Sequence, residues 1–227
     1  MQPYFLPYIG YFQLIRAADA FVVYDNIQYT KKGWINRNRM LVGGQSATFS
    51  LPLKKDSDYL DVRERELADS FNPTKLLNQI RGAYAKAPCF EMVYPLVQEI
   101  LGFGERNLFQ FILHSLKRVC THLGLDTRFV VSSTVDVDHS LRGRDKVLAI
   151  CKTMGADSYI NPMGGIGLYS KEDFQAEGIE LQFVRPGRVE YRQFGNEFIP
   201  WLSILDVLMF NSVDEAKGLV DTGYDLI

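Results

Sequence analysis

Two prolines, a glycine and three tyrosines fall within the first eleven residues, Met1-Gln-Pro-Tyr-Phe-Leu-Pro-Tyr-Ile-Gly-Tyr11. The prolines fix a bent backbone, and Gly10 can begin a helix whose free N–H groups face an anion. We expect this segment to line a ligand site, with Tyr11 as a catalytic hydrogen-bond donor and Gln2, Tyr4 and Gly10 in binding roles. The alternative is an amino-terminal arm that packs its aromatic rings on the core.

A second stretch, Asp25-Asn-Ile-Gln-Tyr-Thr-Lys-Lys-Gly-Trp-Ile-Asn-Arg-Asn-Arg39, follows a short apolar run that is typical of a buried strand. Open α/β sheets place their ligands at this edge. Its arginines can bind phosphate or carboxylate through paired hydrogen bonds, and its tryptophan offers a stacking face. We expect Asp25 and Lys31 to be catalytic, and a solvated basic loop is the alternative. The expected binding residues are Gln28, Tyr29, Lys32, Trp34, Asn36, Arg37 and Arg39.

The third stretch, Asn161-Pro-Met-Gly-Gly-Ile-Gly-Leu-Tyr169, follows another short predicted strand. Its glycines allow successive N–H groups to turn toward one anion, although the spacing matches neither the Walker loop nor the dinucleotide fingerprint. A plain flexible turn is the alternative. The expected binding residues here are Asn161, Gly164, Gly165 and Tyr169.

Near the carboxyl terminus, Gln193 is a further expected binding residue and Asp206 a catalytic one, which would orient the substrate or act as a base. The alternative for Asp206 is a simple charge at a helix start. His139 lies close to two arginines and could meet a phosphate, but it also fits an ordinary loop histidine.

Composition excludes several classes of protein. The net charge of −2 argues against a nucleic-acid protein, and the three histidines have no metal-ligand spacing, so that no protein-held metal is expected. The odd, widely spaced cysteines Cys89, Cys120 and Cys151 are typical of free, buried thiols in a reducing compartment. The chain shows no signal peptide and no membrane span, so we expect a cytoplasmic protein. A homo-oligomer is left open.

The elements that must position these stretches alternate along the chain. Strands are expected at 21–24, 47–53, 128–132, 158–160 and 179–184, and helices at 11–18, from Asn72 onward, and at 91–101, 105–123, 143–154, 171–176 and 204–210. Such alternation predicts a single α/β domain over 1–227, with a mainly parallel, Rossmann-like sheet and a mostly helical insertion at about 70–125. The segments 2–11, 28–39 and 161–169 are expected to line one cleft.

The segments 2–11, 28–39, 155–160 and 202–206 together resemble the WbqC-like family over almost the whole chain. That family is associated with gene clusters for surface polysaccharides, so the resemblance implies a glycan pathway without naming a reaction. Its members usually carry a short apolar strand before the Gln-Pro motif, whereas this sequence begins at Met1. Either that strand lies ahead of the given start, or the sheet lacks its first strand and the motif loop loses its anchor.

The spacing P-x-x-x-P-x-x-G-Y is also similar to the phosphate-binding loop of nucleotidylyl transferases and pantothenate-synthetase-like ligases, with Tyr11 where those enzymes have histidine. This similarity implies adenylate chemistry with ATP and magnesium. The leading hypothesis is therefore a transferase or ligase acting on a nucleotide-linked sugar. The alternative is a non-catalytic binding or scaffold protein of a glycan-assembly complex, for which Tyr4, Phe5, Tyr8 and Phe12 could supply an exposed apolar patch.

Overall fold

A computed structural model describes residues 1–195 and 197–227. Its helices are α1 (Ile9–Arg16), α2 (Pro73–Tyr84), α3 (Phe90–Leu101), α4 (Leu108–Leu123), α5 (Gly143–Thr153), α6 (Lys171–Gln175), α7 (Ile204–Phe210) and α8 (Val213–Thr222). Its strands are β1 (Ala20–Val23), β2 (Arg37–Val42), β3 (Gln45–Ser50), β4 (Arg128–Val131), β5 (Ser158–Pro162), β6 (Glu180–Pro186) and β7 (Tyr224–Leu226). The α/β class predicted from the alternation is confirmed.

The strands form three small sheets. β1 pairs in parallel with β4, β5 pairs in parallel with β6, β7 joins β6 in antiparallel fashion, and β2 and β3 form an antiparallel hairpin. Among the described residues, the mainly parallel, Rossmann-like sheet that we predicted is therefore not formed. The strands β1 and β5, which would have to pair in a continuous sheet, are not hydrogen-bonded to each other, and residues of both strands line a groove of about 390 Å³.

Met1 lines this groove and lies beside the carboxyl end of β1. The Met1 ammonium donates a hydrogen bond to the carbonyl of Val22 at 2.6 Å, and the Tyr24 N–H donates to the carbonyl of Met1 at 2.8 Å. The two bonds follow the hydrogen-bond pattern of a parallel strand pair, so Met1 pairs with β1 along the edge that β4 does not occupy. Burial lowers the pKa of the Met1 ammonium to about 5.

The β2–β3 hairpin carries the end of the basic stretch. Its register places Arg37 opposite Ser50 and Val42 opposite Gln45, and Gly43 and Gly44 form the two-residue turn. Both glycines have positive φ, as a type I′ turn requires, which explains why this turn needs two glycines. The sequence pattern indicated β3 but not β2, because the polar residues at the start of β2 do not alternate with apolar ones.

The helical middle of the chain agrees closely with its prediction. Asn72 caps α2 by accepting a hydrogen bond from the Thr74 N–H at 2.9 Å, and Pro73 occupies the first helical position. Gly124 ends α4 in the left-handed conformation. The inner faces of α2, α3 and α4 join the main core, which extends from Phe5 to Val220. That this region is an insertion into a single domain stays a prediction.

A second, smaller core lies beneath β5 and β6, where Val147 and Cys151 of α5 pack against Phe174, Leu181 and Phe183. Cys120 and Cys151 are buried free thiols, as expected, and Cys89 is partly exposed. No helix of the described chain has the length and apolar character that crossing a membrane requires.

Two glycines allow the helix energetics to be tested as a pair. Gly82 lies on the exposed side of α2 with open space around it, so Gly82→Ala should raise the free energy of unfolding by about 0.5–1 kcal/mol. Gly124→Ala should lower it by about 1–2 kcal/mol, because alanine is strained at a φ of +66°. Urea denaturation measures both, and equal effects of the two changes would contradict these helix boundaries.

Candidate functional site

The amino-terminal segment is fixed to β2 and to the start of α7 by its own backbone. The carbonyl of Leu6 accepts hydrogen bonds from Asn38 Nδ2 at 2.9 Å and from Ser203 Oγ at 2.7 Å, and the Ile204 N–H donates to the carbonyl of Pro7 at 2.8 Å. Leu6 has a φ of +44°, a conformation that costs a leucine energy and persists because these bonds hold it. Three segments that are distant in sequence therefore meet at one place.

A cleft of about 280 Å³ opens where they meet. We call it the aromatic cleft, and it is lined by Tyr4, Pro7, Tyr8, Trp34, Asn38, Arg39 and Trp201. Both tryptophans are open to solvent, with 42% of Trp34 and 60% of Trp201 exposed. Trp201 also has a positive φ, of +62°, so that one strained residue, Trp201, lines this cleft and another, Leu6, directly precedes its lining residue Pro7. Strain of this kind is concentrated at functional sites.

Arg39 is the charged residue of the aromatic cleft. Its guanidinium lies 5.2 Å from the centre of the Trp34 ring, and its Nη2 donates to the carbonyl of Trp201 at 3.0 Å. Its Nε is buried and has no hydrogen-bond acceptor among the described residues. A cation held against an aromatic face at the wall of a cleft suits a ligand that has both a flat or apolar face and a negative charge.

Tyr11, Gln2 and Gly10 lie behind this cleft instead of in it. Tyr11 is 1% exposed, and its hydroxyl donates to the carbonyl of Gln2 at 2.8 Å. The side chain of Gln2 accepts a hydrogen bond from the Tyr4 hydroxyl at 3.0 Å. Gly10 lies in the first turn of α1, where a Cβ would come within 2.3 Å of the Tyr8 ring. In this structure Tyr11 and Gly10 therefore position Gln2 and Tyr8, and a direct contact of Tyr11 with ligand stays a prediction.

The remaining residues of the basic stretch divide into structural clamps and solvent-exposed charges. Arg37 donates to the carbonyls of Gly33 and Lys32, which closes the loop before β2. Tyr29 donates to Asn36, and Asn36 donates to the carbonyl of Leu51.

Three further predicted residues lie at the surface. Gln28 donates to the carbonyl of Asp58, Lys31 pairs with the Asp58 carboxylate at 2.6 Å, and Lys32 is exposed. Of the predicted set in this stretch, Trp34 and Arg39 are the two that line the aromatic cleft.

The glycine-rich third stretch does not line the aromatic cleft. Asn161 lies on the groove between β1 and β5, and its Nδ2 would be only 2.1 Å from a Cβ at position 165, so Gly165 is required for this packing. Gly164 is exposed, and Tyr169 packs edge-on against Tyr159. The prediction of one common cleft therefore holds for the first two segments and not for 161–169.

Asp25 lies at the carboxyl ends of the parallel strands β1 and β4. Its carboxylate accepts hydrogen bonds from Ser132 Oγ at 2.9 Å, from the Ser133 N–H at 2.9 Å and from Ser133 Oγ at 2.6 Å. Burial acts to raise the pKa of Asp25, but the bonds from Ser133 and Ser132 outweigh it and hold the pKa below its usual value. Asp25 is thus an anion at neutral pH, and it orients two hydroxyls.

Sequence reasoning missed both serines and the lysine Lys146, which faces Asp25 from α5. The signal for the serines was present, because Ser132 ends and Ser133 follows the strand predicted at 128–132, whose observed part, β4, pairs in parallel with β1. No comparable signal marked Lys146. It lies on the buried face of α5 with Val147 and Ile150, whereas a lysine in a predicted helix is ordinarily assigned to the solvent-facing side.

Asp206 is completely buried at the start of α7. It accepts hydrogen bonds from the hydroxyls of Tyr84 at 2.9 Å and Tyr191 at 2.7 Å, and from the side-chain amide of Gln193. Burial raises its pKa, and the three donors offset that effect only in part. Ser203, not Asp206, caps α7, since Ser203 Oγ accepts from the Leu205 N–H.

The fold and the site together define an α/β protein with an aromatic cleft that is lined by one arginine, Arg39. Residues 2–218 match the model of the WbqC-like protein family, and the chain belongs to that family. It is also 26% identical over 219 residues to the uncharacterized protein Rv1507c of Mycobacterium tuberculosis, an alignment that covers 95% of this chain and 94% of the relative. No solved structure matches the chain significantly.

Replacing Asp206 tests whether its buried carboxyl group has a structural role. Asp206→Ala leaves three buried donors without their acceptor, so the free energy of unfolding should fall by about 2–4 kcal/mol. The control is Asp225→Ala, which removes an exposed carboxylate paired with Arg185 and should change stability by less than about 1 kcal/mol. Urea denaturation followed by circular dichroism measures both. An unchanged stability for Asp206→Ala would contradict the structural role.

Proposed function

We propose that this protein is an enzyme of surface-polysaccharide or glycan biosynthesis, a transferase or ligase that acts on a nucleotide-linked sugar. Membership of the WbqC-like family supports the pathway. The single observation that carries the substrate class is the aromatic cleft, in which two exposed indole rings, two phenol rings and the guanidinium of Arg39 surround a volume of about 280 Å³. That volume is at the lower end of the range for small-molecule sites.

The chemistry of the cleft fits a sugar nucleotide in two respects. Aromatic side chains stack on a planar base, an interaction worth about 1–3 kcal/mol per base, and they also cover the apolar face of a sugar ring. Arg39 supplies a positive charge for a phosphate, because its side chain lines the cleft. Binding at this position would bring the ligand beside Asn38, whose amide already holds Leu6 in place.

The catalytic roles are assigned on geometry. Asp25 is the carboxylate best suited to orient a substrate hydroxyl or to act as a base, because it is ionised and lies at the carboxyl edge of β1. Tyr11 would act through Gln2, to whose carbonyl it donates a hydrogen bond. Lys31, which lies at the surface, would neutralise negative charge on the substrate. Asp206 is less suited to react, since both its oxygens are occupied.

An adenylate route would use ATP with magnesium. The described residues contain no cluster of three or more histidine, cysteine or acidic side chains for a metal, so magnesium would arrive on the nucleotide phosphates. A cytoplasmic location is also part of this proposal, and a homo-oligomeric state stays a prediction.

A scaffold function is the second candidate, and the exposure of Trp34 and Trp201 favours it. Two large rings with 42% and 60% exposure could equally contact a partner protein. The apolar patch expected from the start of the chain does not support it, however. Phe5 and Phe12 are completely buried, and Tyr4 and Tyr8 are only partly exposed.

The two arginines of β2 form a matched pair for testing the cleft. Arg39→Ala should weaken the binding of a nucleotide sugar by about 1–3 kcal/mol, because it removes the cation that lines the cleft. Arg37→Ala removes the same charge from the same strand. Arg37 lies 5.8 Å from the Trp34 ring, but it donates to the carbonyls of Gly33 and Lys32 and does not line the cleft, so affinity should change less. Isothermal titration calorimetry with UDP-glucose, dTDP-glucose and ATP, each with magnesium, measures both variants against the wild type.

Two results would count against the proposal. Equal losses for Arg37→Ala and Arg39→Ala would mean that the effect comes from net charge and not from the cleft. Absence of binding by the wild type to every nucleotide and nucleotide sugar at millimolar concentration would favour the scaffold function. In that case Trp34→Ala and Trp201→Ala should disrupt a protein complex while leaving the fold intact.

A further inference from the structure

A chain of contacts joins the polar and aromatic groups of the aromatic cleft into one site. The Arg39 guanidinium lies 5.2 Å from the centre of the Trp34 ring, and its Nη2 donates to the carbonyl of Trp201 at 3.0 Å. The Trp201 ring is in turn centred 5.7 Å from the ring of Tyr8. These contacts hold two indole rings that are still 42% and 60% exposed. Rings that are positioned before binding lose little entropy when they stack on a planar ligand.

The polar groups of the aromatic cleft that remain free are mainly hydrogen-bond donors. The hydroxyl of Tyr8 and the indole N–H groups of Trp34 and Trp201 form no hydrogen bond with the residues that the structure describes. Burial raises the pKa of Tyr8, which keeps its hydroxyl protonated and able to donate. An indole N–H and a guanidinium can only donate. A ligand in this cleft must therefore bring the acceptors.

The strong acceptors beside the cleft are already in use. Asn38 is buried, its Oδ1 accepts the N–H of Arg39 at 2.9 Å, and its Nδ2 donates to the carbonyl of Leu6. The carbonyl of Trp201 accepts from Arg39. In the described part of the chain, no aspartate or glutamate lines the cleft. An amine of a ligand would lose its water here without gaining a strong acceptor, which is unfavourable.

The chemistry of the bases then separates one class of nucleotide from the others. Uracil and thymine carry two carbonyl oxygens, which accept, and one ring N–H, which a phenol oxygen of Tyr4 or Tyr8 can accept. Cytosine and adenine present an exocyclic amine instead of a carbonyl at the corresponding edge, and guanine also carries an amine. The cleft volume of about 280 Å³ favours a single ring over the fused rings of a purine.

We propose that the aromatic cleft binds the base of a uridine or thymidine nucleotide, so that the donor substrate is a UDP-linked or dTDP-linked sugar. This inference rests on the proposed function and narrows its substrate class. Trp34 and Trp201 supply stacking faces and N–H donors for the carbonyl oxygens of the base, and Arg39 supplies a positive charge for a phosphate. The amine of adenine is disfavoured here, so an adenylate route would bind its ATP outside this cleft.

Calorimetric titration with UMP and CMP tests the inference, because the two nucleotides have the same ring size, ribose and phosphate. They differ in the group at C4 and in the proton on N3 of the base. We expect the wild type to bind UMP about ten- to a hundredfold more tightly than CMP, the ratio that one desolvated amine without an acceptor produces. dTMP should bind as UMP does, and AMP and GMP should bind no more tightly than CMP.

Two conservative substitutions identify the groups that cause this preference. Trp34→Phe and Trp201→Phe keep an aromatic ring and remove the indole N–H, so each should weaken UMP binding about three- to tenfold more than CMP binding. In the double variant the ratio of the two affinities should approach unity. Tyr59→Phe is the control, because Tyr59 is 86% exposed and lies outside the cleft, and it should leave both affinities unchanged.

The possible failures are distinguishable from those of the proposed function. Equal affinities of the wild type for UMP and CMP would overturn the inference, and so would an unchanged ratio in the double tryptophan variant. Binding of ADP-glucose or GDP-mannose as tight as that of UDP-glucose would also overturn it, while leaving the proposed function in place. If the wild type binds none of these nucleotides and nucleotide sugars, the proposed function fails and the inference fails with it.

Discussion

One buried carboxylate connects the parts of this protein that are farthest apart in sequence. Asp206 on α7 is bound by Tyr84 from the end of α2 and by Tyr191 and Gln193 from the segment after β6. The Tyr84 hydroxyl in turn accepts the Leu41 N–H of β2 at 2.9 Å, so the hairpin is tied to the same centre. Because a buried carboxyl group without its hydrogen-bond partners is costly, the network favours the arrangement in which these segments meet.

The aromatic cleft is a product of that arrangement. Once α7 is fixed, Ser203 holds the carbonyl of Leu6, and Leu6 holds the amino-terminal segment in a conformation that a leucine seldom adopts. The second polar region forms independently, at the carboxyl ends of β1 and β4, where Asp25 orients Ser132 and Ser133. The aromatic cleft with Arg39 and the polar edge with Asp25, Ser132 and Ser133 are thus two separate regions of the molecule.

Local signals made much of this fold predictable, and long-range pairing made the rest unpredictable. Asn72 with Pro73 and the terminal Gly124 mark helix ends through their own backbone requirements, and these predictions are confirmed. The two cleft residues predicted in the basic stretch, Trp34 and Arg39, follow from side-chain chemistry. Tertiary contacts, by contrast, determine the groove between β1 and β5. They also determine that Arg37 donates its hydrogen bonds to the loop before β2. No periodicity or spacing encodes such contacts.

The chain contains only two tryptophans, Trp34 and Trp201, and both border the aromatic cleft. Excitation near the red edge of protein absorption therefore reports on this one surface, without signal from a buried indole elsewhere. The nearby Arg39 guanidinium and the solvent exposure of both rings make their emission sensitive to whatever enters between them. The intrinsic tryptophan fluorescence of the unlabelled protein therefore reports on the cleft. A compound collection can be screened by following its quenching or the shift of its emission maximum.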